Sequence, residues 1–180
     1  MQMKVLIIST SIRGGSNSEI LAKECERGAA DAGHEVEFVT LKGKDIKYCI
    51  GCLSCLDTHK CVIQDDVAEI REKVKDAEAI VFATPIYYFE MCGQMKTLLD
   101  RMNPLYTDDY KFRKIYMIAT AAEEGDEVFE KAYNGLLGWV DCFSKAERSG
   151  LLAAGGIDDP KLALDHEDKL KAAYEFGKSL

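Results

Sequence analysis

Lys4-Val5-Leu6-Ile7-Ile8-Ser9-Thr10-Ser11-Ile12-Arg13-Gly14-Gly15-Ser16-Asn17-Ser18 begins with an apolar run and passes into hydroxyls and glycines. A continuous apolar run bounded by turn residues is what a strand buried on both faces requires. The next stretch, residues 17–32, repeats Leu21, Cys25 and Ala29 at i, i+4 and i+8, with Gly33 just beyond, and so reads as a helix. A fully buried strand feeding a helix through a Ser/Gly loop is the opening unit of a parallel α/β sheet.

The same alternation continues outward. Glu35–Leu41 sets Val36 and Phe38 against Glu35 and Glu37, as in an edge strand with one wet face. A long irregular segment over about 42–64 comes next, and Asp65 or Asp66 can cap a helix over 66–76. Ala79–Ala83 and Ile115–Ala119 are further apolar strands, and Leu151–Ala154 is the last. Helices are expected where Met95, Leu98, Leu99 and Met102 recur, where Phe129, Ala132, Tyr133, Leu136, Leu137 and Val140 recur, and over 160–177. The amphipathic second strand belongs at an edge and the apolar strands inside. A flavodoxin-like, doubly wound, five-stranded parallel sheet of order 2-1-3-4-5 meets both demands, with helices on both faces. That order puts the ligand crevice beyond the carboxyl ends of the first and third strands.

Composition bounds the function. With 180 residues, 47% of them hydrophobic, the chain reads as one domain over 1–180. Its formal charge of −8 speaks against nucleic acid or anionic membrane as partner, since both need a basic surface. No apolar run approaches a membrane span and the first ten residues read straight into a strand, so a cytoplasmic protein is expected. In a reducing cytoplasm the seven cysteines are thiols, metal ligands or redox groups before they are disulfides.

Two loops fall at the predicted crevice. Ser9–Ser18 joins a buried strand to a helix start, where backbone N–H groups, small hydroxyls and the positive helix end make an anion site that Arg13 can neutralise. It is neither GxGxxG nor a GK[ST] loop, and an ordinary turn capped by Ser16 or Asn17 is the plainer alternative. After the third strand comes Thr84-Pro85-Ile86-Tyr87-Tyr88-Phe89-Glu90-Met91-Cys92-Gly93-Gln94, whose aromatics suit a flat heteroaromatic ligand, or else core packing.

Together, "STSIRGGSNSE" and "TPIYYFEMCGQMKTLLDR" resemble the NAD(P)H-dependent FMN reductase branch of the flavodoxin-like flavoproteins. That family pairs a Ser/Arg/Ser-Asn-Ser loop with a Pro-x-Tyr loop and a Lys…Asp-Arg helix, matched here by Lys96, Asp100 and Arg101. The resemblance covers roughly the first hundred residues. It implies that Ser9, Ser11, Arg13, Ser16, Asn17 and Ser18 hold the FMN phosphate, and that Thr84, Pro85, Ile86, Tyr87 and Tyr88 flank the isoalloxazine ring. It also implies NAD(P)H as electron donor and a homodimer or homotetramer with active sites at subunit boundaries. No side chain need act as nucleophile, because the flavin carries the chemistry. A small-molecule acceptor or a redox protein would take the electrons, and a flavodoxin-type carrier is the alternative.

Cys49, Cys52, Cys55 and Cys61 read C-x2-C-x2-C-x5-C. Zinc sites usually join two separated C-x2-C knuckles, whereas Cys52 here would belong to both. Thiolates at steps of three wrap a compact object, which is the logic of a cuboid cluster, although the bacterial ferredoxin run ends x3-C-P and this one does not. The run resembles that of the iron–sulfur flavoproteins, a subgroup of the same family in which four such cysteines bind [4Fe–4S]. A zinc site and a cluster-free, redox-sensitive loop stay open as readings. His59 is a spare metal ligand or a solvated side chain; Cys25, Cys92 and Cys142 are expected to pack.

Overall fold

In the computed structural model, which describes residues 1–180, the run Lys4–Ser9 forms strand β1 and the stretch after it helix α1 (Asn17–Asp31). Strand β2 (Glu35–Thr40) leads into the cysteine-bearing segment, which holds the single-turn helix α2 (Cys55–Thr58), and then into helix α3 (Val67–Asp76). Strand β3 (Ala79–Tyr87) turns back on the two-residue strand β4 (Glu90–Met91) before helix α4 (Gly93–Asp100). Strand β5 (Lys114–Thr120), helix α5 (Glu127–Val140), strand β6 (Glu147–Ala154) and helix α6 (Glu167–Lys178) complete the alternation.

The parallel strands stand in the order β2-β1-β3-β5-β6, which is the flavodoxin-like arrangement, with β2 at one edge. Successive side chains of a strand point to opposite faces, so each central strand feeds two cores. Leu6, Ile8, Ile80 and Phe82 pack on one face with residues of α3, α4 and α5. Val5, Ile7, Val81 and Ala83 pack on the other with residues of α1 and α6. Each such aliphatic side chain contributes about 1.5–3 kcal/mol when fully buried. No helix is long and apolar enough to cross a membrane.

The structure corrects the expected outline in four places. The sheet has six strands rather than five: β3 runs on past Ala83, and Ile86 and Tyr87 pair antiparallel with Met91 and Glu90. Tyr88 and Phe89 make the turn at φ 52° and 65°, the left-handed values that a two-residue hairpin turn demands. Neither residue is a Gly or Asn, so nothing local signalled a hairpin. The last helix starts at Glu167 rather than at 160, because the Asn17 side chain seizes the preceding backbone: its Oδ1 accepts from the Ala163 amide at 3.0 Å. Asp66 stands at the start of α3 without a side-chain cap bond, and Asp65 does more than cap. Cys142 lies just past the end of α5 and is exposed instead of packed, while Cys25 and Cys92 are buried as expected.

Helices α1 and α6 touch backbone to backbone. A Cβ on Gly28 would stand 2.0 Å from the Tyr174 carbonyl oxygen, and one on Gly177 would stand 2.1 Å from that of Cys25. Gly28→Ala and Gly177→Ala are each expected to destabilise the chain by about 1–3 kcal/mol through overpacking. Urea unfolding would show this as a lower midpoint at unchanged slope; a loss under about 0.5 kcal/mol would mean that the helices simply move apart.

Candidate functional site

At the carboxyl end of β1 the chain runs Thr10 to Gly15 before α1 begins. The Thr10 amide and hydroxyl both donate to the Ala83 carbonyl at 2.9 Å, and the hydroxyl meets Cys92 Sγ at 3.2 Å. The Cys92 amide in turn donates to Thr84 Oγ1 at 3.1 Å. These bonds lock the loops after β1 and β3 together. Gly15, at φ 67°, turns the first loop, and its carbonyl accepts from the Lys161 amide at 3.2 Å.

The β1 loop faces the carboxyl end of β3 across a cavity of 180 Å³, lined by Ser11, Arg13, Ser16 and Asn17 on one side and by Pro85, Ile86 and Tyr87 on the other. A second cavity of 220 Å³ adjoins it through Ile86, Ala121 and Ala122 and continues to Tyr88, Phe89, Glu123 and Val128. The result is a groove with a polar end at the start of α1 and an apolar end at the β3–β4 turn. The first amides of a helix have no intrahelical partner and carry its positive end, so the polar end suits an anion.

Not every expected residue lines this groove. Ser9 is buried beneath it and donates its hydroxyl to Glu19 Oε2 at 3.2 Å. Ser18 is fully buried against Ser16, and Thr84 spends its hydroxyl on Cys92 and on the Pro85 carbonyl. Ser16 caps α1 by accepting from the Glu19 amide at 3.2 Å. Asn17 donates to the carbonyls of Ile157 and Asp159 at 3.0 and 2.9 Å, so its amide group is a clamp on the loop after β6. Ser11 takes the Arg13 amide at 3.2 Å, and Arg13 itself is exposed.

Sequence reasoning missed the remaining walls: Thr120 to Glu123 after β5, and Ile157 with Asp158 after β6. They carry no motif. Their one signal is their place, beyond the carboxyl ends of strands, where open α/β sheets hold ligands.

The four cysteines come together elsewhere. Cys49, Cys52, Cys55 and Cys61 all line one cavity of 320 Å³, closed on the α4 side by Asp100 and Asn103. No group of three or more His, Cys, Asp or Glu side chains is close enough to hold a metal ion. Donors nevertheless approach the sulfurs: Gly51 N to Cys49 Sγ at 3.5 Å, and Asn103 Nδ2 to Cys55 Sγ at 3.1 Å. Hydrogen bonds from the Ser54 backbone and side chain lower the pKa of the Cys52 thiol. His59 is outside the cavity, with Nδ1 at 3.3 Å from the Thr107 hydroxyl.

This segment is tied to the end of α4 by a buried ion pair. Arg101 and Asp65 are 1% and 0% exposed at their side chains, with Nη1–Oδ2 at 2.5 Å and Nη2–Oδ1 at 2.9 Å. Asp65 also accepts from the Lys47 amide at 2.9 Å and the Val67 amide at 3.2 Å. Burial opposes the Asp65 charge, but Arg101 and the two amides outweigh it and hold the carboxyl below its usual range.

A family description, NADPH-dependent FMN reductase, matches residues 3–144. The chain belongs to that family. Over 103 residues it is 42% identical to an iron–sulfur flavoprotein of Methanocaldococcus jannaschii, an alignment covering 57% of this chain and 53% of that one. An iron–sulfur flavoprotein of Methanosarcina thermophila is 36% identical over 99 residues, 55% of this chain and 52% of the relative. The chain thus spans about half the length of the curated relatives it matches. Among solved structures, an NAD(P)H:quinone oxidoreductase from Methanothermobacter marburgensis superposes with a TM-score of 0.78 over 99% of this chain and 98% of the other. At 18% identity that likeness is one of fold.

The Asp65–Arg101 pair sets a pH dependence. With Asp65 depressed below its unfolded value of about 3.9, its stabilisation is whole above that pH and lost as the pH falls through the folded value. Asp65→Asn is expected to cost about 3–5 kcal/mol at pH 7 by leaving Arg101 unpaired. In urea titrations the gap from the unaltered chain should close below about pH 3.9. A gap that is constant with pH would show that the carboxylate charge is not what stabilises.

Proposed function

We propose that the chain is an NAD(P)H-dependent FMN oxidoreductase, with FMN in the groove between the β1 and β3 loops. The observation that carries this reading is the joint cavity: an anion-suited end at Ser11, Arg13, Ser16 and Asn17 opens into an apolar end at Ile86, Tyr88 and Phe89. A phosphate at one end of a planar heteroaromatic ring has that polarity and order. Ser9, Ser18 and Thr84 serve from behind the wall by fixing the loops. Tyr87, at 48% exposure, offers a ring edge that a partner molecule can reach. Bound there, FMN supplies hydride acceptance from a nicotinamide and release of electrons singly or in pairs.

The four-cysteine cavity supports a [4Fe–4S] site in the same reading. The four cysteines line one cavity without forming the compact group that a single zinc ion needs, whereas a cuboid cluster takes thiolates spread over several irons. Amide and carboxamide donors to sulfur are the features that tune such a site. The cluster would supply single-electron transfer to a small acceptor or a redox protein. Exposed Tyr48, Ile50, Leu53 and Val62 on this segment, with Tyr88 on the hairpin, give apolar surface for a homodimer or homotetramer.

Arg13→Ala and Ser11→Ala are expected to weaken FMN binding to apoprotein by about tenfold each, the loss of about 1.4 kcal/mol of anion contact, as read by flavin fluorescence titration. Cys→Ala at 49, 52, 55 or 61 should leave FMN in place while removing iron from protein made without oxygen. Unchanged FMN affinity in both loop variants would refute the groove assignment, and an iron-free wild type would refute the cluster.

A further inference from the structure

Arg101 touches both ends of the cysteine segment. Its Nη1 donates to the Lys47 carbonyl at 2.6 Å and its Nη2 to the Ile63 carbonyl at 3.3 Å. Lys47 is two residues before Cys49, and Ile63 two residues after Cys61. A single planar fork therefore sets the separation of the first and last cysteines, with Asp65 holding the fork in its plane. Through the Ile63 carbonyl the guanidinium is held two residues along the chain from Cys61, and through the Lys47 carbonyl two residues from Cys49. One donor is left over: Nε is buried and has no hydrogen-bond partner. A buried donor without an acceptor is destabilising, and a negatively charged sulfur centre is an acceptor of matching sign.

We propose that Arg101 is the positioning residue of the cysteine site: it staples the two stems of the segment at a fixed spacing and places a permanent positive charge at the stems that carry Cys49 and Cys61. The proposal rests on the cluster reading for its redox consequence, but the staple itself does not. A fixed cation beside a redox centre favours its reduced, more negative form and so raises its reduction potential. Lysine at this position would keep the charge and lose the two-stem fork; glutamine would lose both.

The test uses FMN-loaded wild type, Arg101→Lys and Arg101→Gln, all prepared without oxygen, with iron per chain, FMN per chain and the midpoint potential of the iron–sulfur centre followed by electron paramagnetic resonance. Arg101→Lys should lose about tenfold or more in iron affinity at near wild-type potential, as expected for a group that orients metal ligands. Arg101→Gln should bind iron as weakly, with its remaining centres at a lower potential. FMN should stay in both, because the groove is built by other loops. Wild-type iron affinity and potential in both variants would overturn the proposal. So would joint loss of FMN and iron in both, which would make Arg101 a general core residue. If wild type itself holds no iron, the cluster reading fails separately, and the staple is judged by amide exchange over residues 47–63 of the FMN-loaded chain. Faster exchange there in Arg101→Lys, with other amides unchanged, upholds it; equal exchange in wild type and variant refutes it.

Discussion

A guanidinium buried against a carboxylate, Arg101 on Asp65, holds a long irregular segment to the end of helix α4. The pair is shielded from water, and hydrogen bonds to the surrounding backbone offset its lost hydration. The carboxylate takes the amides of Lys47 and, at the start of α3, Val67, while the guanidinium takes the carbonyls of Lys47 and Ile63 on the two stems of the cysteine segment. Ile46 packs into the core between these anchors. Besides the pair, the segment from Leu41 to Asp66 is held by one short helix, by bonds between Asp45 and Asp66, and by side-chain bonds to Asn103 and Thr107.

The same helix that ends at Arg101 begins beside the β1 loop that forms one wall of the groove. Cys92 at its start bonds Thr10, and Asp100 and Asn103 at its end line the cysteine cavity. Eight residues of α4 span about 12 Å at 1.5 Å each. One rigid element thus sets the distance between the two sites, while separate loops build each of them. A change in one site can leave the other intact, so each can be probed by itself.

Much of this was legible in the sequence because parallel strands buried on both faces must be apolar throughout. Lys4–Ser9, Ala79–Ala83 and Ile115–Ala119 could hardly be anything else, and alternation in Glu35–Leu41 marked the edge. The cavity-lining Ser11, Arg13, Pro85 and Tyr87 were readable from their place in two loops. The ion pair was not, since Asp65 and Arg101 are far apart in sequence and a carboxylate before a helix reads first as a cap. The hairpin at Tyr88 and Phe89 was hidden because its left-handed turn lacks the residues that usually permit one. The walls after β5 and β6, Ala121 to Glu123 and Ile157 with Asp158, follow no residue pattern that announces them.

A flavin held in the proposed groove must lie within reach of a nicotinamide. Rapid anaerobic mixing of the FMN-loaded chain with NADH and with NADPH, followed at the oxidised flavin band, measures this. Bleaching of the band by at least one of the two, at a rate that rises with nicotinamide concentration to a plateau, is the expected result. A band that neither nicotinamide bleaches, though a reduced ferredoxin does, would contradict it and leave an electron carrier in place of an enzyme.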